Sequence, residues 1–403
     1  MRDVDVPQEV QDFLKEHGLW ENVNETDRGL KKLLCEIYPD AEISCVEIPL
    51  GSNEEELLQI FEAIYCSIVE EDHLYIDVTH GFRSMPMLYI PVIKYAQALK
   101  NIRVEGIYYG VYEAREEKKP IFDLGIYNEI LDWAFASNNF IRYGISAELL
   151  EVAKRRQGIK ARRKDFSFNE AKSFVEKLNR FTECIQTGRG NEVSVKVQNG
   201  EKKTEAQPDC IRSEYRKLEK IDYGKIEFPI LRPLLDNIRE SIAEFKTGGN
   251  TATGLAAIHW CAEKGMIQQG YTALEETIKT FVCDLCGYEN ETDKRIRDDT
   301  IGAALSAGND LLKQCEQTRE SRERFYRENQ EKFFEILTEN GWRLPEEEYV
   351  PLFRRVLTTI PMEFVELAAE VKDKRNDINH FGMQQLLKAA KSDESVSRAG
   401  KAF

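Results

Sequence analysis

The feature that most constrains the fold is a change of rhythm near residue 126. Before it, helix-like and strand-like stretches alternate; after it, strand signals almost vanish. Residues 27–38 (DRGLKKLLCEIY) carry the spacing of an amphipathic helix, and 41–50 (AEISCVEIPL) that of a strand. Residues 53–71 (NEEELLQIFEAIYCSIVEE) give a second helix, which Asn53 can cap with Glu56 at the capping-box position. The run HLYIDVT (73–79) is too apolar for a half-exposed strand and reads as a buried, parallel one. MPMLYIPVIKYAQALK then gives a helix that Pro91 should kink, and 103–114 and 120–125 are further strands. Strands alternating with helices of these lengths predict an open α/β sheet.

From 126 onward the pattern is helical almost to the polar tail that starts near 391. One interruption, residues 187–210 (TGRGNEVSVKVQNGEKKTEAQPDC), is rich in Gly, Asn and charge and reads as an exposed hairpin or a loose loop. The expected layout is α/β then all-α: an α/β domain over 1–140, a helical linker segment over 141–222 and a helical domain over 223–403. There are no internal repeats.

At 403 residues the chain can hold two or three domains, each with its own core. A formal charge of −15 fits a soluble cytoplasmic protein and argues against a permanent nucleic-acid coat. It leaves room for an enzyme that holds RNA briefly in a local positive groove. The nine cysteines follow no framework spacing, and a chain this long needs no disulfide staples. The acidic start lacks the apolar core of a signal peptide, and no uncharged apolar run is long enough to span a membrane.

The stretch DVTHGFRSMPML joins a strand end to a helix that Ser84 can cap, at the carboxyl edge of the expected sheet, where open α/β sheets bind ligands. Gly81 lets the backbone approach a ligand, and the helix N-terminus offers N–H groups to an anion. Arg83 supplies a fork suited to phosphate, and His80 can donate or stack. The alternative is an ordinary β–α turn in which Asp77 and Arg83 form a structural ion pair.

A second constellation is EVKDKRNDINHFG (370–382). Arg375 and His380 are five apart, so on one helix they point roughly 140° apart, whereas Asn376 and His380 share a face. The geometry works if two such helices meet across a two-fold axis, each giving an Arg and a His to a shared cleft. Such a pair can cleave RNA without a metal: the ribose 2′-hydroxyl is the nucleophile, His moves protons and Arg neutralises the phosphorane. The alternative is a surface ion pair, with His380 favoured by the helix dipole.

The two motifs together carry a resemblance. DVTHGFRSMPML followed by VEGIYYGVYE resembles the Rossmann-like sensor domain of CRISPR-associated CARF proteins, in particular those with a D-x-T-H-G-F-R strand end. RNDINH resembles the R-x4-6-H active site of HEPN ribonucleases, and AEKGMIQQGYTALEETI (262–278) is similar to the helix that opens that fold. CARF first and HEPN last is the order of the accessory ribonucleases of type III CRISPR systems. The resemblance covers most of 40–135 and 225–385. It implies a homodimeric, cytoplasmic, metal-independent endoribonuclease that cuts single-stranded RNA in antiviral defence. No cofactor is expected; the allosteric activator would be a cyclic oligoadenylate, with cyclic tetra-adenylate the first expectation. Carried over by position, Thr79, His80, Gly81, Phe82, Arg83 and Ser84 would line the ligand pocket. Arg375 and His380 would be the catalytic pair and Asn376 a polar support. CARF domains usually begin with a strand that ends in a Gly- and Ser/Thr-containing loop, and no such strand is legible before the helix at 27.

Other features carry less. Cys283 and Cys286 form one C-x2-C with only Cys315 following, and read as core rather than zinc ligands. KRRQGIKARRK (154–164) holds seven basic residues in eleven; it could guide RNA or serve as a solvated helix face. His259, in AAIHWCA, reads as a satisfied core histidine, His73 as a strand-edge residue without metal-ligand spacing, and the acidic runs at 54–56 and 346–348 as solvated faces. A second function class also fits the motifs: a non-catalytic, nucleotide-responsive regulator with the basic segment as its effector surface.

Overall fold

The computed structural model describes residues 34–79, 85–111, 114, 120–162, 164–191, 193–198, 201–226, 228–229, 231–246, 248–314 and 318–380. The chain divides into two compact units between Asn128 and Glu129.

In the first unit, helix α1 (Glu54–Cys66) starts at Asn53, whose side chain accepts the Glu56 N–H at 2.9 Å, while Glu56 accepts the Ser52 N–H at 2.7 Å. This is the reciprocal cap read in the sequence, shifted by one residue on the return bond. Strand β1 (His73–Asp77), helix α2 (Met85–Lys100, with Pro91 inside it), strand β2 (Arg103–Gly110) and strand β3 (Ile121–Asp123) follow. The sheet order is β1-β2-β3, with β1 and β2 parallel and β2 and β3 antiparallel. The expected open parallel sheet is therefore a small mixed one. An apolar strand reads alike in either direction, and the short connection from β2 to β3 suits an antiparallel return rather than a crossover.

Two further expectations change. Residues 41–50 form no strand: their apolar residues, such as Val46 and Ile48, are exposed, and they join no ladder among the described residues. β1 is half-exposed rather than buried on both faces. Leu74 and Ile76 pack toward α2, whereas Tyr75 on the opposite face is 71% exposed. Alternating side chains bury both faces only when both are covered. The core of this unit is two small groups, Ile68, Val92, Ala96 and Ile102, and Val78, Ile93 and Ile107, both built on α2. Of the helix expected over 27–38, residues 34–37 are helical and 27–33 lie outside the described residues.

The second unit is mostly helical. It contains α3 (Gly125–Tyr143) from its second turn on, α4 (Ala147–Arg162), α5 (Asn169–Gln186), the antiparallel hairpin β4 (Val193–Gln198) and β5 (Glu201–Ala206), α6 (Ile211–Glu219) and α7 (Leu231–Ser241). The interruption at 187–210 thus holds an antiparallel strand pair, the hairpin alternative of the sequence reading. Helices α3, α5 and α8 (Asn250–Lys264), with residues just before α5 and on either side of α7, share an aromatic core: Trp133 against Phe168 and Phe228, and Trp260 against Phe140, Phe181 and Phe245.

Gly265, in the left-handed region at φ 70°, ends α8 with N–H bonds back to its last turn. The stretch expected to be one opening helix over 262–278 is therefore broken there, and α9 (Ile267–Leu285) begins anew. A short helical turn, Lys294–Ile296, runs into a π-helical turn, Arg297–Gly302, and then α10 (Ala303–Lys313). Next come α11 (Arg319–Asn329), α12 (Phe333–Glu339), α13 (Val350–Thr359) and α14 (Met362–Asn379). Helices α9 to α14 close over a second core that includes Val282, Cys283, Ile301, Leu311, Phe333, Phe353 and Val365.

Candidate functional site

Helix α14 buries Met362, Val365, Ala368 and Val371, a stripe at helical spacing that faces the second core. The same stripe continues through Arg375 to Ile378, which also packs on that core. Arg375 thus projects from the core side of the helix and needs a partner there. Its Nε–H donates to Oε2 of Glu275 on α9. The Glu275 side chain is 8% exposed and that of Arg375 28% exposed. The hydrogen bond to Glu275 holds the guanidinium pKa above its ordinary value.

His380 caps the C-terminus of α14, its backbone N–H bonded to the Asn376 carbonyl at 2.9 Å, and its side chain is exposed. Asn376, one turn earlier, is half-buried. Within one chain the pair behaves as its spacing requires: Arg375 turns inward to Glu275 and His380 outward. The end of α14 is tied to the start of α9 by Gln268 Nε2 donating to Asn379 Oδ1 at 3.2 Å. Lys374 bonds Glu370 at 2.7 Å, and that hydrogen bond holds its pKa above the usual lysine range.

Behind Glu275 lies a charged cluster. Buried Lys279 sits 3.1 Å from Glu275, 2.8 Å from Glu276 and 2.7 Å from Asp298. Burial alone would lower its pKa, but the facing carboxylates, Glu276 foremost, outweigh it and hold the amine above its ordinary range. Arg297, buried in the π-helical turn, donates to Glu276 Oε2 at 2.8 Å and to the Thr280 hydroxyl at 3.1 Å. The Thr300 hydroxyl bonds the Arg295 carbonyl at 2.7 Å across the widened turn. None of Glu275, Lys279, Arg297 and Asp298 was singled out from the sequence. The available signal was Glu275 itself, a carboxylate on the buried stripe of Tyr271, Ile278 and Val282.

At the other candidate site, the Thr79 N–H donates to Asp77 Oδ1 at 2.7 Å, an Asx-type turn. The Gly110 N–H donates to Thr79 Oγ1 at 2.7 Å, so the hydroxyl links the ends of β1 and β2. His80, Gly81, Phe82, Arg83 and Ser84 lie outside the described residues.

The remaining motifs resolve as follows. Cys283 and Cys286 are buried in the second core; burial pushes the Cys283 thiol up to about 12 and also raises that of Cys286. In the basic segment, Arg155 pairs with Asp132 at 3.3 Å, Arg156 with Glu129 at 2.5 Å and Lys160 with Asp165 at 2.5 Å. Arg156 also stacks over Phe228, 3.8 Å from the ring centroid. His259 is not in the core: its side chain is 56% exposed and lies 2.7 Å from Glu244 and 3.4 Å from Glu263. The hydrogen bond it donates to Glu244 raises its pKa. His73 pairs with Glu105 across the strands at 2.8 Å. Among the described residues no helix is long and apolar enough to cross a membrane.

No family model matches the chain. It is similar to the CRISPR-associated protein MJ1674 of Methanocaldococcus jannaschii, with 24% identity over 273 residues, 66% of this chain. The aligned region spans 38% of that protein's length.

Proposed function

We propose that this chain is a metal-independent endoribonuclease of CRISPR antiviral defence, which cuts single-stranded RNA as a homodimer when a cyclic oligoadenylate binds its N-terminal unit. The observation that carries the reading is the end of α14: an arginine anchored by a buried carboxylate, and an exposed histidine five residues on with an asparagine one turn below it. The similarity to a CRISPR-associated protein supports a defence setting for this reading.

In this mechanism the ribose 2′-hydroxyl loses its proton and attacks the adjacent phosphorus, and the bond to the 5′-oxygen of the next nucleotide breaks, that oxygen taking a proton and leaving a 2′,3′-cyclic phosphate. His380 takes or gives the proton, and Arg375 neutralises the phosphorane. Because Glu275 engages Nε, the Nη groups are the donors left to face the phosphate. Arg375 and His380 diverge on one helix, so each active centre takes its groups from two copies of α14 across a two-fold axis. A ligand that binds the active arrangement better than the idle one supplies the switch. In this reading Thr79 to Ser84 would line the ligand pocket, and of these Thr79 alone lies among the described residues. The regulator reading has less behind it, because in its effector surface, the basic segment, Arg155, Arg156 and Lys160 are engaged with carboxylates of the same unit.

The test is cleavage of a fluorescent single-stranded RNA in EDTA, without ligand and with cyclic tri-, tetra- or hexa-adenylate. Arg375→Ala and His380→Ala should each abolish cleavage, and the products should end in 2′,3′-cyclic phosphate. Cleavage by either variant at the wild-type rate removes that residue from the mechanism. An inert parent chain that still binds a cyclic oligoadenylate favours the regulator.

A further inference from the structure

We propose that Lys279 is a positioning residue of the cleavage site, acting on Arg375 through Glu275; this rests on the ribonuclease reading above. Glu275 uses its two oxygens separately. Oε2 accepts from Arg375 Nε, and Oε1 lies 3.1 Å from Lys279 Nζ. Glu275 and Lys279 are one turn apart on α9, so both side chains leave the same face of the helix. With Oε1 held on Lys279, the carboxylate cannot rotate about its last bond without breaking that pair, and Oε2 stays turned toward α14. An arginine held at Nε takes its direction from the oxygen that holds it.

The surroundings of Lys279 make it a fixed point. An ammonium has three protons. Here three carboxylates face it: Glu275, Glu276 at 2.8 Å and Asp298 at 2.7 Å. The side chain is 9% exposed; burial works against its charge, and the facing carboxylates outweigh it. Glu276 is bridged in the same manner, with Oε1 on Lys279 and Oε2 on Arg297, each at 2.8 Å. Arg297 and Asp298 both stand in the π-helical turn Arg297–Gly302, a local widening of the kind often found at functional sites.

Cations and carboxylates therefore run in one alternating chain: Arg297, Glu276, Lys279, Glu275, Arg375. It starts in the π-helical turn and ends on the arginine. Stability alone does not call for such a chain, because buried ion pairs can often be replaced by apolar residues of similar volume at no loss. What the chain does is fix positions, and an arginine that must meet a developing charge requires that.

The experiment measures single-stranded RNA cleavage and thermal melting on the full chain, in the presence of whichever of cyclic tri-, tetra- or hexa-adenylate activates the wild type. Lys279→Met keeps the length of the side chain and removes its charge. It should lower kcat by roughly 10²-fold, the scale of a misplaced catalytic group, and leave KM nearly unchanged. Because that change alone leaves carboxylates around an uncharged side chain, Lys279→Met combined with Asp298→Asn serves as a charge-balanced version. In it Glu276 keeps Arg297 and Glu275 keeps Arg375. It should melt close to the wild type and show the same loss of kcat. A third comparison tests the route. If Lys279 acts through Glu275, adding Lys279→Met to Glu275→Gln should lower kcat by no more than about two-fold further, whereas independent effects multiply. Wild-type kcat in the folded, charge-balanced variant overturns the inference and leaves the ribonuclease reading standing, and so does a multiplied loss. If the wild-type chain cuts no single-stranded RNA with any of these ligands, the ribonuclease reading fails and this inference with it.

Discussion

Glu275→Gln tests the link between the buried carboxylate and Arg375 directly. The amide keeps the shape of the side chain and can still accept from Arg375 Nε, so no cavity opens. What is lost is charge. Breaking a fully buried pair costs about 3–5 kcal/mol when the other ion is stranded. Here neither partner is stranded. The Arg375 side chain is 28% exposed and can turn to water, and Lys279 keeps Glu276 at 2.8 Å and Asp298 at 2.7 Å. The expected loss is then that of one charge-assisted hydrogen bond, about 1–2 kcal/mol. In a unit of this size each kcal/mol lowers Tm by about 2–4 °C. On the proposed ribonuclease mechanism, the effect on cleavage should be larger. An arginine no longer aimed by its anchor loses much of its transition-state stabilisation, and removing one such donor costs about 10²–10³ in rate. The loss should fall on kcat rather than KM, since it concerns charge that develops only in the transition state. The assay pairs thermal melting with steady-state cleavage of a fluorescent RNA. A variant with lowered Tm and wild-type kcat would refute the argument, leaving Glu275 as a stabilising residue only.

Gly254 on α8 lies so close to α9 that an added Cβ would overlap the Thr277 side chain. Gly254→Ala should therefore destabilise by about 1–3 kcal/mol despite the better helix propensity of alanine, and a variant that melts at or above the wild-type temperature would show that the helices can separate at no cost. The raised pKa of His259 means its pairing with Glu244 stabilises below the ordinary histidine range, near pH 6.5, and that this contribution is lost as pH rises through the folded-state value. The Tm gap between wild type and His259→Gln should be widest in mild acid and close once pH has risen past the folded-state value, small throughout because the pair is exposed; a gap that widens with pH has the wrong sign. Arg156→Ala removes both the Glu129 bond and the stacking on Phe228 and should cost about 2 kcal/mol, whereas Arg155→Ala, at a half-exposed pair, should lie within about 0.5 kcal/mol of wild type by denaturant melts.

What could be read from the sequence divides along local and non-local lines. The capped start of α1, the hairpin near 200 and the divergence of Arg375 and His380 follow from residue types a few positions apart, and each was legible. The strand expected over 41–50 depended on a hydrogen-bonding neighbour that the described chain does not place beside it, and no local pattern reports that. The direction of β3 was hidden for the same reason. His259 was a different kind of error. Its neighbours are apolar, but Ala256, Ala257, Trp260 and Cys261 already mark the buried stripe of α8, and position 259 lies off it, so periodicity outranks local composition. Glu275 and Arg375 were both visible as charges on otherwise buried stripes, one between Tyr271 and Ile278, the other between Val371 and Ile378. Burying either charge alone is too costly to persist, so each implies a partner of opposite sign facing the same core. Two such residues a hundred positions apart, one anion and one cation, are therefore a prediction that α9 and α14 pack together. It rests on burial rather than on any motif, which is why a search for R-x4-H finds the arginine and misses the carboxylate that aims it.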